Sequence, residues 1–259
     1  MDSDRIQAQV AGFLAGSATL GAPFDDCDLQ RLSLFRGFIV RVKHNNVQKA
    51  LPLTLRVLAA SGLKLPFFVA YAPTYLSTRS AGPLPLDRQV QMLVQHLGAF
   101  LHDRADPTSA AAADVLVHEA TLWSFRSEPV VLRDARAPRG LSWRGRVAVR
   151  RYATDVLGAC DALAARRFDP HQHVRAGEHS LLYWRADGSD GVEFFEIDDL
   201  TALLVSVAQR RRTVRGVAAQ LAAMHAGHFA IPELDDFFDG LAERGFLQPR
   251  PAARTASCA

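Results

Sequence analysis

The chain has 259 residues, 49% of them hydrophobic, and a net charge of +3 from 30 Lys+Arg against 27 Asp+Glu. That length can bury one core or two, and no apolar run approaches the ~18 residues of a transmembrane helix. The opening MDSDR lacks a basic stretch and Ile6–Leu20 is broken by Gly and polar residues, so no signal peptide is expected. Three scattered cysteines (Cys27, Cys160, Cys258) have neither metal nor disulfide spacing, and a reducing cytoplasm is the expected setting.

Residues 1–125 read as almost entirely helical. Ile6, Val10, Phe13 and Leu14 make a first face, and Leu29, Leu32 and Phe35 open a second helix. Val47, Ala50, Leu51, Leu55 and Leu58 form a third, with Pro52 expected to bend it and Gly62 to end it. Pro66 starts the aromatic segment FFVAYAPTYL, expected to break at Pro73. Asp87 is expected to cap a helix that turns Val90, Leu93, Val94, Leu97 and Leu101 inward. Asp106-Pro107 starts another, running through Val115, Glu119, Leu122 and Trp123. The pattern is that of a helical bundle or array.

Residues 126–151 hold eight Arg, two acids and two Pro, with no sustained helical period. They read as an Arg-rich linker or docking segment with a strand at Val147–Val149. A helix around Tyr152–Arg167 is expected to lead into a C-terminal module spanning 152–248. Residues 249–259 are an expected disordered tail.

The module carries the most information. His179–Arg185 and Val192–Ile197 are aromatic and aliphatic runs separated by ADGSDG, which predicts a β-hairpin. Leu200, Leu203, Leu204 and Val207 follow at helical spacing. Thr213 is the expected N-cap of a second helix with Val214, Val217, Ala218 and Leu221 inward. Pro232 opens a third, with Leu234, Phe237, Phe238 and Leu241 inward, and Gly245 stops it. The fold class expected is therefore α+β: a mostly helical N-terminal domain (1–125), then a small winged-helix-like module of hairpin and three helices.

A DNA-reading module of this kind inserts the second helix of its pair into the major groove. Here that helix carries Glu233, Asp235, Asp236, Asp239 and Glu243 against Arg244, so phosphate would repel it. The triplet Arg210–Arg212 pulls the other way, but cations at a helix end also complement its dipole. A transcriptional regulator with a C-terminal winged helix stays as the alternative reading.

Catalytic constellations are scarce. There is no GxGxxG, GxxxxGK[ST], GxSxG or CxxC. HEATLW at His118–Trp123 begins like a zinc-protease motif, but Leu122 stands where the second His belongs. His171 and His173 lack a third ligand, and His225 and His228 sit at a helix end. His44 lies at a helix start that Asn45 or Asn46 can cap. No catalytic and no metal residue is assigned.

The hairpin carries apolar side chains on both faces. Val192 and Phe194 point one way, Phe195 and Ile197 the other; Leu182 and Trp184 oppose Leu181 and Tyr183. A two-faced hairpin with a free edge suits an added peptide strand. The other reading is that the N-terminal helices cover the second face.

The segment EHSLLYWRADGSDGVEFFEIDDLTALLVSVAQRRRTVRGVAAQLA…IPELDDFFDGLAERGFL resembles the PqqD-like recognition element of ribosomal peptide biosynthesis. The stretch RVKHNNVQKALPLTLRVLAASGLKLPFFVAYAPTYL resembles the helical domain of partner subunits of multinuclear non-heme iron-dependent oxidases, such as those of the methanobactin and thiaglutamate pathways. The resemblance implies a non-catalytic subunit that binds the leader of a ribosomal precursor peptide and pairs with a TIM-barrel iron oxidase. It implies no cofactor in this chain, with iron in the partner; the acidic third helix and the lack of a long apolar run make neither nucleic acid nor membrane an expected ligand. The resemblance places the leader beside Leu181, Leu182, Tyr183, Trp184, Val192, Phe194 and Phe195.

Overall fold

A computed structural model describes residues 3–15, 29–79, 84–104, 106–127, 140–224 and 229–249. The fold is α+β: mostly helical, with one small three-stranded antiparallel sheet. Two compact units divide it. The first comprises Met1–Trp123 and Ala153–Gly177, the second Ser124–Tyr152 and Glu178–Ala259.

The first unit contains α1 (Ser3–Ala15), α2 (Leu29–Lys43), α3 (Asn45–Gln48), α4 (Pro52–Ala60), α5 (Lys64–Arg79), α6 (Leu86–His102) and most of α7 (Pro107–Ser127). After the chain returns it adds α8 (Val156–Ala164) and α9 (Pro170–His173). Helix α2 crosses α5 closely at Gly37, where an added Cβ would lie 2.7 Å from a Val69 methyl. Three local expectations change. Pro52 does not bend one long helix; it sits in the first turn of α4, where its missing N–H costs nothing. Asp87 lies inside the first turn of α6 rather than at its cap, which is Pro85. Pro73 does not break α5. Phe67, Phe68, Tyr71, Tyr75 and Leu76 on that helix are all buried. At about 1.5–3 kcal/mol per large apolar side chain, their burial outweighs the roughly 3 kcal/mol penalty of an internal proline.

The domain boundaries also differ from those drawn at 125, 151 and 248. Helix α8 was expected to join the C-terminal module, but it packs on α4 in the first unit. Its buried side chains Val156, Ala159, Cys160 and Leu163 supply the apolar face, and Asp155 caps it by accepting from Gly158 N. Arg56 of α4 donates to the Leu163 carbonyl at the far end, 3.1 Å away. The described part of the Arg-rich segment, 140–152, is no linker. Leu141 and Trp143 enter the core of the second unit, and β1 (Gly145–Thr154) forms its first strand. Residues 128–139 and 250–259 lie outside the described residues, as does the expectation of a disordered tail.

In the second unit the sheet order is β1, β2 (Ala176–Ala186), β3 (Glu193–Ile197). Helices α10 (Asp199–Arg210), α11 (Val214–Ala223) and α12 (Ile231–Glu243) follow. The expected punctuation holds: Thr213 accepts from Gly216 N at 3.1 Å, Pro232 opens α12, and Gly245 ends it at φ +85°. One core joins Leu141, Trp143, Leu182, Leu204, Val205, Val217, Leu221, Leu234, Phe238 and Leu247. The return segment closes on the start of the unit through Trp143 pairing with Leu247 and Leu141 N donating to Arg212 O.

The His118-Glu119 pair is structural. Glu119, 5% exposed on α7, accepts from Leu53 N (2.8 Å), Thr54 N (2.7 Å) and the Thr54 hydroxyl (2.7 Å). Its carboxylate therefore satisfies the open N–H groups of α4, a task the Leu51 cap cannot perform. Burial raises its pKa, against the pull of those three hydrogen bonds and Arg56. Burial also lowers His118, 3% exposed, from 6.5 to about 4.

Replacing Glu119 with Ala strands three donors and is expected to cost about 3–5 kcal/mol in urea denaturation, with Glu119→Gln costing less. An unchanged midpoint for Glu119→Ala contradicts the assignment. A folded-state pKa depressed below the unfolded value gives His118 a contribution that is present above pH 6.5. It is lost as pH falls toward 4, roughly 3 kcal/mol in all. Glu119 runs the other way, its raised pKa favouring the fold at low pH. His118→Asn is expected to flatten the fall in Tm across that window; an equally steep profile refutes the role.

Candidate peptide edge

Strand β2 lies between β1 and β3, so its backbone is paired on both sides. Its register with β3 sets Leu182 opposite Phe195 and Tyr183 opposite Phe194. Cross-strand partners share a face. One face carries Leu182, Trp184, Phe195 and Ile197; the other carries Leu181, Tyr183 and Phe194. The alternation read from the sequence is therefore the alternation of the sheet.

Side-chain access differs from the expectation. Leu181, Leu182 and Tyr183 are 0%, 3% and 0% exposed and offer nothing to a peptide side chain. Leu182 belongs to the core beneath the helices. Tyr183 on the opposite face shares a hydroxyl–hydroxyl bond with Tyr152 of β1. The same ring lies 6.3 Å from the Phe125 ring. Phe125 is held in turn: Arg146 lies 4.4 Å over its ring, and Arg185 donates to its carbonyl. Arg146 also donates to the Ser124 carbonyl at 2.7 Å. Two arginines of the basic stretch and hairpin thus close the second face around an aromatic ring. Trp184 is half-buried against Phe246, with centroids 4.9 Å apart.

What stays open is β3. Phe194 and Phe195 are each 39% exposed, on opposite faces of the same strand. Phe194 leans on Tyr183 at 6.0 Å, and Phe195 on Phe246 at 5.8 Å. Val192, just before the strand, is half-buried. Among the described residues, the outer side of β3 pairs with no other strand. Leu200, 49% exposed, extends the apolar surface into α10. Between Asp187 and Asp199 the chain has six acids and no Lys or Arg. Glu196 is 2.8 Å from His179 across the hairpin. Charges on an edge strand discourage pairing with another copy of the same acidic edge, and favour a strand of opposite charge. The acidic run is legible in the sequence alone.

Other candidates are weaker. Among the described residues no group of three or more His, Cys, Asp or Glu is placed to hold a metal ion. His171 and His173 lie on α9, where Asp169 caps the turn and the His173 ring lies beside its backbone. His225 and His228 fall outside the described residues. His44 is fully buried; its ring lies 4.1 Å from Tyr75, and its Nδ1 is 2.9 Å from the Val40 carbonyl. The open cleft near it, about 450 Å³, is lined by Lys43, Asn46, Val47, Tyr75, Leu84, Leu86 and Gln89. Cys160 is buried, and that burial pushes its thiol up to about 12. Among the described residues no single helix is long and apolar enough to cross a membrane.

The chain matches no family model and no curated protein.

Truncating a ring in the core and one on the edge separates the two environments. Tyr183→Ala is expected to cost about 3–5 kcal/mol and Phe194→Ala less than about 1 kcal/mol in urea denaturation. Equal costs would mean that Phe194 is core and the edge is closed.

Proposed function

We propose that this chain is a non-catalytic partner protein. It binds the leader of a ribosomally made precursor peptide and presents it to an iron-dependent oxidase, which carries out the modification. The observation that supports this most is the open outer side of β3 with a phenylalanine half-exposed on each face. A peptide strand added there takes affinity from backbone hydrogen bonds and selectivity from the pockets beside alternate side chains. The hairpin followed by three helices agrees with the resemblance to the precursor-peptide recognition element.

The surroundings narrow the peptide. Phe194 and Phe195 favour an apolar residue on each side of the incoming strand. The acids between Asp187 and Asp199 favour Lys or Arg flanking those residues. They oppose duplex DNA for the reason that α12 does: phosphate attraction supplies most non-specific affinity, and this surface supplies repulsion.

The test is direct binding of a labelled extended peptide with an apolar residue on each side, flanked by Lys and Arg, followed by fluorescence anisotropy. Phe194→Asp with Phe195→Asp is expected to weaken binding by roughly tenfold or more while Tm holds. Co-expression with a multinuclear non-heme iron oxidase is expected to give an equimolar complex. A folded double variant with wild-type affinity, or tight salt-sensitive binding to duplex DNA instead of peptide, overturns the proposal.

A further inference from the structure

The cleft of about 450 Å³ in the first unit is built from the end of α2, α3, α5 and the start of α6. Its size falls in the range of small-molecule sites, roughly 300–1,000 Å³. Tyr75 and Val47, 6% and 1% exposed, form its buried part. Packed rings hold Tyr75 in place. The buried His44 ring lies 4.1 Å from it, and the Tyr71 ring lies 5.9 Å from it. His44 is anchored in turn, with its Nδ1 2.9 Å from the Val40 carbonyl. A site fixed in this way spends little on ordering itself around a ligand.

The rest of the lining divides by chemistry. Leu84 and Leu86 are apolar, whereas Lys43, Asn46 and Gln89 are polar. Lys43 is the one charged group there, and among the described residues no acid lines the cleft. Asp87, in the first turn of α6, stays outside the lining. Among the described residues no carboxylate pairs with Lys43. The end of α2 does not occupy Lys43 either. The Val40 carbonyl accepts from His44 N at 3.0 Å, and the Arg41 carbonyl accepts from the Gln48 amide. Gln89 donates to the Leu84 carbonyl at 2.7 Å, which fixes its amide at the cleft.

These groups set the ligand's chemistry. An amine would meet Lys43 with no acid to pair it. Inorganic phosphate would leave Leu84, Leu86 and the Tyr75 ring uncovered, and its second charge would have no second cation. A carboxylate on an apolar body meets both demands: one negative charge for one ammonium, and apolar surface for the rest.

We propose that this cleft binds a small organic acid, a single carboxylate on a one-ring or short aliphatic body, with the carboxylate at Lys43. The site lies wholly within the first unit, and the inference stands whether or not β3 binds a peptide.

The probe is 4-phenylbutyrate, titrated into the full chain by calorimetry beside 4-phenylbutanol, 4-phenylbutylamine and inorganic phosphate. The acid is expected to bind at least about fivefold more tightly than the alcohol or the amine, and phosphate is expected not to displace it. Lys43→Gln is expected to remove the advantage of the acid over the alcohol, whereas Lys43→Arg keeps it. Tm holds in both, because the side chain is exposed. Leu86→Asp, at a position 42% exposed, is expected to weaken the acid about tenfold or more with Tm unchanged. Lys43 and Leu86 come from different helices and meet at this cleft, so the two losses together place the acid there. Absence of saturable binding, equal affinity for acid and amine, or displacement of the acid by equimolar phosphate overturns the proposal. So does wild-type affinity for the acid in a folded Lys43→Gln or Leu86→Asp variant.

Discussion

A strand buried on both faces constrains the whole second unit. In β2 the neighbours Leu181, Leu182 and Tyr183 point to alternate sides, and none is accessible. A three-stranded sheet that packed only against helices would need one apolar face. Here the second face is closed by Phe125 and Tyr152, with Arg146 and Arg185 fastening the phenylalanine. Closing both faces fixes the register of β3, because a slip of one residue would exchange Phe194 for Phe195 and move each to the wrong side. The accessible chemistry is thereby confined to an edge: the last strand of the sheet among the described residues, two half-exposed rings and a flank of acids. An edge of that kind suits a strand better than a small molecule, and a basic strand better than a nucleic acid.

The first unit illustrates how a motif can mislead. His118-Glu119 resembles half of a metal-binding signature, and both residues are buried on a helix. Yet the carboxylate is spent on the first turn of α4, whose own cap is a leucine with no acceptor to offer. An acid in the middle of an apolar helix face is costly unless it is hydrogen-bonded, and here three donors offset the cost. The arrangement ties α4 to α7 by a specific contact rather than by apolar packing alone.

Much of this was legible from residues alone, because caps, turns and periodicity are local. Thr213, Pro232, Gly245, Gly62 and the Asp-Gly-rich hairpin loop act within a few positions of themselves, and each does what its chemistry dictates. The faces of the hairpin were legible for the same reason, since alternation is a property of the strand. Long-range partners were not. Nothing near Tyr183 announces Phe125, and nothing near Pro73 announces the buried aromatic face that carries α5 through it. The Arg-rich stretch shows only its charge in the sequence, whereas Arg146 is used for its planar fork and ring stacking. In helix α2 the sequence shows apolar residues at Leu29, Leu32 and Phe35 but not which of them face water; Leu29 and Phe35 are exposed.

Peptide addition at the outer side of β3 is tested most directly by backbone hydrogen–deuterium exchange of the full chain, with and without an extended apolar peptide flanked by Lys and Arg. Slowed exchange at Glu193–Ile197 is expected on peptide addition, with α12 and the buried strand β2 unchanged. Slowed exchange elsewhere, with β3 exchanging as fast as before, would contradict it.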